Sequence, residues 1–313
     1  RFFAIVQENN WRKHPMTILS EAGRGRIAPL GFLFLAIASV GWGLNFPIMK
    51  QLLSEVPPLS SRGLAGLVGA AALALIAHHR GQRLTVPKPL WGRLILVSML
   101  NIGGWVAFMG LALVWLKASD AAVLAITIPV WVALLAWPLL GETVSVVRGL
   151  ALLVALTGIC VLLGGGGISV SLEKLPGILF ALAGAIGVAF GTVLTKRFPL
   201  TLQPIALTAW QVGIGCVPVV IVGLAIEQPH FAALSPRGWA SMAYLTFVQF
   251  CVCYVCWFAA LERLPAATAS IGTLLVPVVG VLAAAAMLAE PIGLRELLAL
   301  AATLGGVALA LRH

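Results

Sequence analysis

Apolar residues fall in long blocks along this chain, separated by short breaks rich in charge, proline or glycine. Ten blocks reach the roughly 20 residues that carry a helix across a bilayer. They are 28–50, 59–79, 90–116, 120–140, 146–165, 175–196, 203–226, 237–262, 266–288 and 293–311. In lipid each block must satisfy its own backbone hydrogen bonds, and over this length only a helix does so. The pattern predicts an all-α integral membrane protein of ten transmembrane helices.

Composition supports that reading. Only 10% of the 313 residues are charged and 61% are hydrophobic, with a mean hydropathy of +1.05. A soluble domain carries about 25% charged residues, so lipid must cover most of this surface. A net charge of +10 would suggest nucleic acid in a soluble protein. Here the charges sit between apolar blocks, read as topology signals, and imply no nucleic acid partner. The five cysteines (Cys160, Cys216, Cys251, Cys253 and Cys256) all lie in apolar stretches and give no disulfide framework. Residues 1–26 are polar and basic, unlike a cleavable signal peptide. Met16 is the expected natural start, with 1–15 an appended segment and 1–27 a cytoplasmic N-terminal segment.

Lysine and arginine set the expected orientation. With the N-terminus inside, 14 fall on the cytoplasmic side. Six fall outside: Lys50, Arg62, Lys117, Lys174, Arg237 and Arg295. Without residues 1–15 the balance is 11 to six. Both termini are predicted to be cytoplasmic.

A shift of 148 residues lays the third to fifth blocks on the eighth to tenth without a gap. Asn101 meets Gln249, Ala112 meets Ala260, Pro129 meets Pro277, Glu142 meets Glu290 and Gly158 meets Gly306. A weaker match joins 41–50 to 187–196. The chain therefore reads as two five-helix units, 28–165 and 175–311. An odd number of spans per unit turns the second upside down, and inverted repeats of this kind build secondary transporters that work by alternating access.

The stretches WGLNFPIMK, LKASDAAVLAITIPVWVALLAWPLLGE and LLVPVVGVLAAAAMLAEPIG resemble the EamA-type branch of the drug/metabolite transporter superfamily, and the likeness covers nearly everything after residue 28. The resemblance implies a carrier with a central cavity lined by helices 1, 3, 4, 6, 8 and 9, with helices 5 and 10 peripheral. It also implies residence in the inner membrane and export of amino acids or related metabolites, aromatic amino acids included. Arg62 follows the proline pair more closely than the family pattern has it, so its usual role is not carried over.

Polar residues inside spans are costly in lipid and tend to face the bundle interior. Candidates for substrate binding are Trp42 and Asn45 in the first block, and Asn101 and Trp105, four apart, in the third. Thr127 and Trp131 flank Pro129 in the fourth; Gln249, Tyr254 and Trp257 lie in the eighth. Together they predict an aromatic-walled cavity with amide donors and acceptors, suited to a zwitterion with an apolar side chain. Singly, each also reads as interhelical glue, packing or interfacial belt. Pro47, Pro129 and Pro277 are expected conformational hinges, because each removes a helical hydrogen bond; a static kink is the other reading. Glu142 and Glu290 read as helix caps, and Lys50 and Lys196 as snorkelling helix ends. Cys251, Cys253 and Cys256 spread over more than one helix face, so no metal is expected.

All ten acidic residues lie outside spans or at their ends. A proton-driven pump needs a buried relay, so the expectation is a facilitative or weakly coupled carrier, with Asp120 and Glu262 the remaining proton sites. Few cavity charges disfavour polyanions, which need Arg or Lys clamps. Neutral or zwitterionic metabolites remain, amino acids first, with no cofactor, a small-molecule substrate and lipid as partners, and a single chain sufficing. A multidrug or other metabolite exporter of the same fold is the alternative. A membrane enzyme lacks a catalytic cluster here, and a channel lacks a filter run.

Overall fold

The computed structural model describes residues 21–141, 172–264 and 272–294, with single positions beyond to 305. Their regular structure is entirely helical. Seven helices are long and apolar enough to cross a bilayer. They are α1 (Glu21–Leu52, apolar from Pro29), α2 (Pro58–His79), α3 (Lys88–Trp115), α4 (Ala118–Leu140), α5 (Leu175–Arg197), α6 (Pro204–Ile226) and α7 (Pro236–Leu261). A shorter apolar helix, α8 (Leu275–Leu288), follows. These match eight of the ten blocks. Glu142, the block at 146–165 with its Cys160, and most of 293–311 lie outside the described residues.

Local chemistry explains the ends. Pro58, Pro204 and Pro236 open their helices where a missing N–H costs nothing. The Ser235 hydroxyl caps α7 by accepting the Gly238 N–H at 3.1 Å. Gly141 ends α4 in the left-handed region (φ +70°), and Ala289, its equivalent under the 148-residue shift, ends α8 at φ +53°.

Helices approach closely through small residues, the usual device where lipid supplies no hydrophobic drive. Along α2, Gly63, Gly66 and Gly69 face α6 and α7. A Cβ at Gly63 would lie 2.6 Å from the Val220 backbone nitrogen, and one at Gly69 2.8 Å from the Phe250 side chain. Gly43 brings α1 within the same range of the Val276 carbonyl on α8, and Gly177 brings α5 against the Ala112 carbonyl on α3.

Four departures from α-helical geometry matter for the site. A π-helical segment occupies Met99–Gly103 in α3, and another Tyr244–Val252 in α7; the 148-residue shift lays the first inside the second. In α4 a turn at Ile126–Thr127 precedes Pro129, with the Ile126 and Thr127 N–H groups bonding three residues back at 3.1 Å. Thr273–Leu274 forms the corresponding turn before Pro277.

Connections 53–57, 116–117, 227–235 and 289–293 share one face of the molecule. The Glu55 carboxylate accepts the Ser235 N–H and hydroxyl, both at 2.7 Å. Glu227 accepts the Leu59 N–H (2.9 Å), the Ser60 N–H (2.7 Å) and the Ser60 hydroxyl (2.8 Å). Glu290 accepts the Ala118 N–H (2.8 Å), the Ser119 N–H (3.0 Å) and the Ser119 hydroxyl (2.6 Å). Each carboxylate thus caps the N-terminus of a helix distant in sequence. For Glu290 this refines the expected role: the helix it caps is α4, not the span that comes after it. On the opposite face the Gln82 amide oxygen accepts from the Ala206 N–H (3.0 Å) at the start of α6.

Candidate functional site

A cavity of about 320 Å³ opens among α1, α3, α4, α7 and α8. It is centred on the irregular segments. Ile102, Gln249 and Phe250 come from the two π segments, and Ile126, Pro129, Thr273, Leu274 and Pro277 from the two broken helices or their borders. A π turn adds a residue to the helical turn and rotates the residues beyond it, and a proline releases a carbonyl from its usual donor. In α7 the π segment puts Gln249 and Phe250 on the cavity wall, and in α3 it puts Ile102 there and leaves Asn101 against α5.

Of the nine substrate-binding candidates, Trp42, Asn45, Trp105, Gln249 and Tyr254 line this cavity, as do the proline hinges Pro129 and Pro277. The edge of one ring meets the face of the other where Trp42 and Tyr254 pack at 5.5 Å. Trp257 backs Trp42 at 5.9 Å without reaching the cavity wall. Asn101 does not line it either: its side chain rests on Gly191 of α5. Asn101 lies inside the π segment and Trp105 just beyond it, so a spacing of four no longer puts them on one face. Trp131 donates its indole N–H to the Thr127 hydroxyl at 3.1 Å, and this pair also stays outside the cavity wall. Pro47 lies within α1, next to the lining residue Phe46. The sixth block, α5, contributes no lining residue, contrary to the expectation from the resemblance.

Several lining residues missed by polarity alone fall in pairs under the repeat. Ile102 pairs with Phe250, Val106 with Tyr254, Ala125 with Thr273, Ile126 with Leu274 and Ile128 with Val276 under the same 148-residue shift, and every one of them lines the cavity. The repeat is not a sufficient guide, since Gln249 lines the cavity and its equivalent Asn101 does not.

No described lining residue carries a charge. The Asn45 amide oxygen is buried and has no hydrogen-bond partner. Toward the capped face the cavity is closed: Met49 on α1, Leu113 on α3 with Leu116 just beyond its end, and Leu245 on α7 are each no more than 1% exposed.

Charged groups expected to matter stand elsewhere. The Lys50 ammonium does not snorkel; it donates to the Leu113 and Leu116 carbonyls (2.8 Å to the latter) and so caps the end of α3. Asp120 pairs with Lys174 at 3.0 Å, and Glu262 is an exposed surface group beside Arg263. Arg62, expected among the loop cations, is buried one turn inside α2, with one nitrogen against the Met49 sulfur and Nη2 without a partner. Cys216, Cys251, Cys253 and Cys256 are buried free thiols, and the described residues hold no metal-ligand cluster.

Comparison with known proteins places these features. The uncharacterized transporters YvbV and YoaV of Bacillus subtilis are 28% and 25% identical, covering 84% and 79% of this chain and 85% of each of theirs. Protein PecM of Dickeya dadantii is 28% identical over 73% of this chain and 74% of its own. A protein of known crystal structure superposes with a TM-score of 0.66 over 92% of this chain and 96% of its own, at 21% identity, a likeness of fold alone. The EamA-like transporter family matches residues 29–164 and again 175–312. Each match contains one member of every lining pair, and between them they cover most of the chain, which is a multi-pass membrane protein belonging to the EamA-like transporter family.

Proposed function

We propose that this chain is a secondary carrier that exports small neutral or zwitterionic metabolites, amino acids foremost, by alternating access. It spans the inner membrane ten times as two inverted five-helix units, acts as a single chain and keeps both termini in the cytoplasm. The observation that carries this reading is the cavity itself, aromatic, uncharged and built from paired positions of the two matched segments. An uncharged wall has nothing to neutralise a polyanion, whereas a small zwitterion or neutral molecule needs only hydrogen bonds and apolar contact. Orientation rests on the cations: Arg80, Arg83, Lys88, Arg93, Lys196, Arg197 and Arg263 gather on the face opposite the three carboxylate caps, which fits a cytoplasmic side. With Asp120 held in an ion pair and Glu262 at the surface, facilitative transport is favoured over proton coupling.

The test is flux of radiolabelled amino acids into liposomes containing the purified protein, with and without a pH gradient. Saturable flux with counterflow, indifferent to the gradient and reduced at least tenfold by Trp105→Ala, is expected. Unsaturable flux would point to a channel. Strong accumulation driven by the gradient would overturn the facilitative mechanism.

A further inference from the structure

Asn45 is 7% exposed, lines the cavity, and carries a buried amide oxygen that no donor reaches. Buried polar atoms are almost always satisfied. The Asn101 oxygen is also without a partner but lies away from the cavity. Asn45 is on the cavity wall, where a small rotation of the side chain brings its oxygen to a donor from outside the protein. The surroundings have the same polarity. Pro129 has no N–H to offer the Ala125 carbonyl, and Ala125 lines the cavity beside it. Trp42, Trp105 and Tyr254 present aromatic rings, whose faces are electron-rich and attract ammonium groups. The Gln249 amide and the Tyr254 and Thr273 hydroxyls can donate or accept and so discriminate little. Against these, no lysine, arginine or histidine stands among the described lining residues to compensate a carboxylate taken out of water.

We infer that the cavity recognises its substrate through an amino group, received by the Asn45 amide oxygen, and that a carboxylate on the substrate is dispensable. The transported class then includes aromatic primary amines as well as amino acids. This rests on the reading of the cavity as the substrate site of a carrier.

Three probes that share a phenyl ring separate the possibilities: phenethylamine carries only the ammonium, 3-phenylpropionate only the carboxylate, and phenylalanine both. Binding is measured by calorimetry on the full chain in nanodiscs near pH 7. Phenethylamine is expected to bind at least tenfold tighter than 3-phenylpropionate and no weaker than phenylalanine. Asn45→Leu should remove that preference, and Asn45→Asp should strengthen it. Should either variant fail to fold, the three-probe series on the unmodified chain still decides. Binding of phenylalanine without phenethylamine would overturn the inference and leave the carrier reading standing, and a preference for 3-phenylpropionate would do the same. Failure of all three to bind would overturn both.

Discussion

At the scale of single residues, Asn45 and Asn101 show what polarity in an apolar block does and does not reveal. Both are asparagines inside spans, costly in lipid and therefore turned inward. Both amide oxygens are buried without a partner, but Asn45 lines the cavity while Asn101 packs on Gly191. The difference comes from the π segment at Met99–Gly103, which breaks the 3.6-residue register on which any inference from spacing depends. Glu55 illustrates the converse, a residue with no legible role that acquires one through a partner 180 positions away. Hydrogen bonds from the Ser235 hydroxyl and N–H hold its carboxyl below the usual carboxylate range, with Arg237 adding to the effect. A folded-state pKa depressed in this way contributes stability above the unfolded value of about 4.3, and that contribution is lost as pH falls through the folded pKa. Glu55→Gln should therefore lower the thermal midpoint of the detergent-solubilised protein at neutral pH, and the deficit should shrink toward zero below about pH 4. A deficit that stays constant down to pH 3 would mean the carboxylate charge contributes nothing.

At the scale of elements, the helices were legible because lipid imposes one rule everywhere, an apolar run long enough to cross. For α2 to α7 the boundaries read from the sequence fall within a few residues of the observed ones. The π segments were not legible, since an inserted turn is decided by how neighbouring helices fit rather than by any local residue preference. The cap partners were equally hidden, because a carboxylate at a helix end does not announce which N-terminus it will meet. The repeat carries information at this scale that single positions lack. Gly141 and Ala289 both end their helices in the left-handed region, at φ +70° and +53°. Glycine occupies that region freely, whereas an alanine Cβ costs about 1–2 kcal/mol there. Replacing Ala289 with glycine copies the first unit's solution into the second. It is expected to raise thermal stability, by about 1 kcal/mol after the entropy of the unfolded glycine is counted. Urea or thermal unfolding of the two proteins side by side measures the difference, and a destabilised Ala289→Gly would show that the αL position is not strained.

For the whole molecule, the three carboxylate caps have one property in common that none shows alone. Glu55 belongs to the first matched segment and caps a helix of the second, whereas Glu227 and Glu290 belong to the second and cap helices of the first. All three lie on the face toward which the cavity is closed behind Met49, Leu113, Leu116 and Leu245. Under the alternating access proposed above, in which the two units move against each other, these bonds must break for that face to open. Charge-assisted hydrogen bonds are stronger than neutral ones, so together the three caps bias that equilibrium toward the closed state. Glu→Gln at all three positions keeps the shape of the side chain and an acceptor oxygen but removes the charge. The population open on this face should then rise about tenfold or more. A single cysteine at Leu113, introduced with the native cysteines replaced by alanine or serine, reports the change through its rate of modification by a membrane-impermeant maleimide. Faster labelling in the triple variant than in its parent is expected, and substrate should slow it where substrate favours the closed form. Equal labelling rates, with both proteins folded, would mean that the caps only terminate helices and that apolar packing alone seals this face.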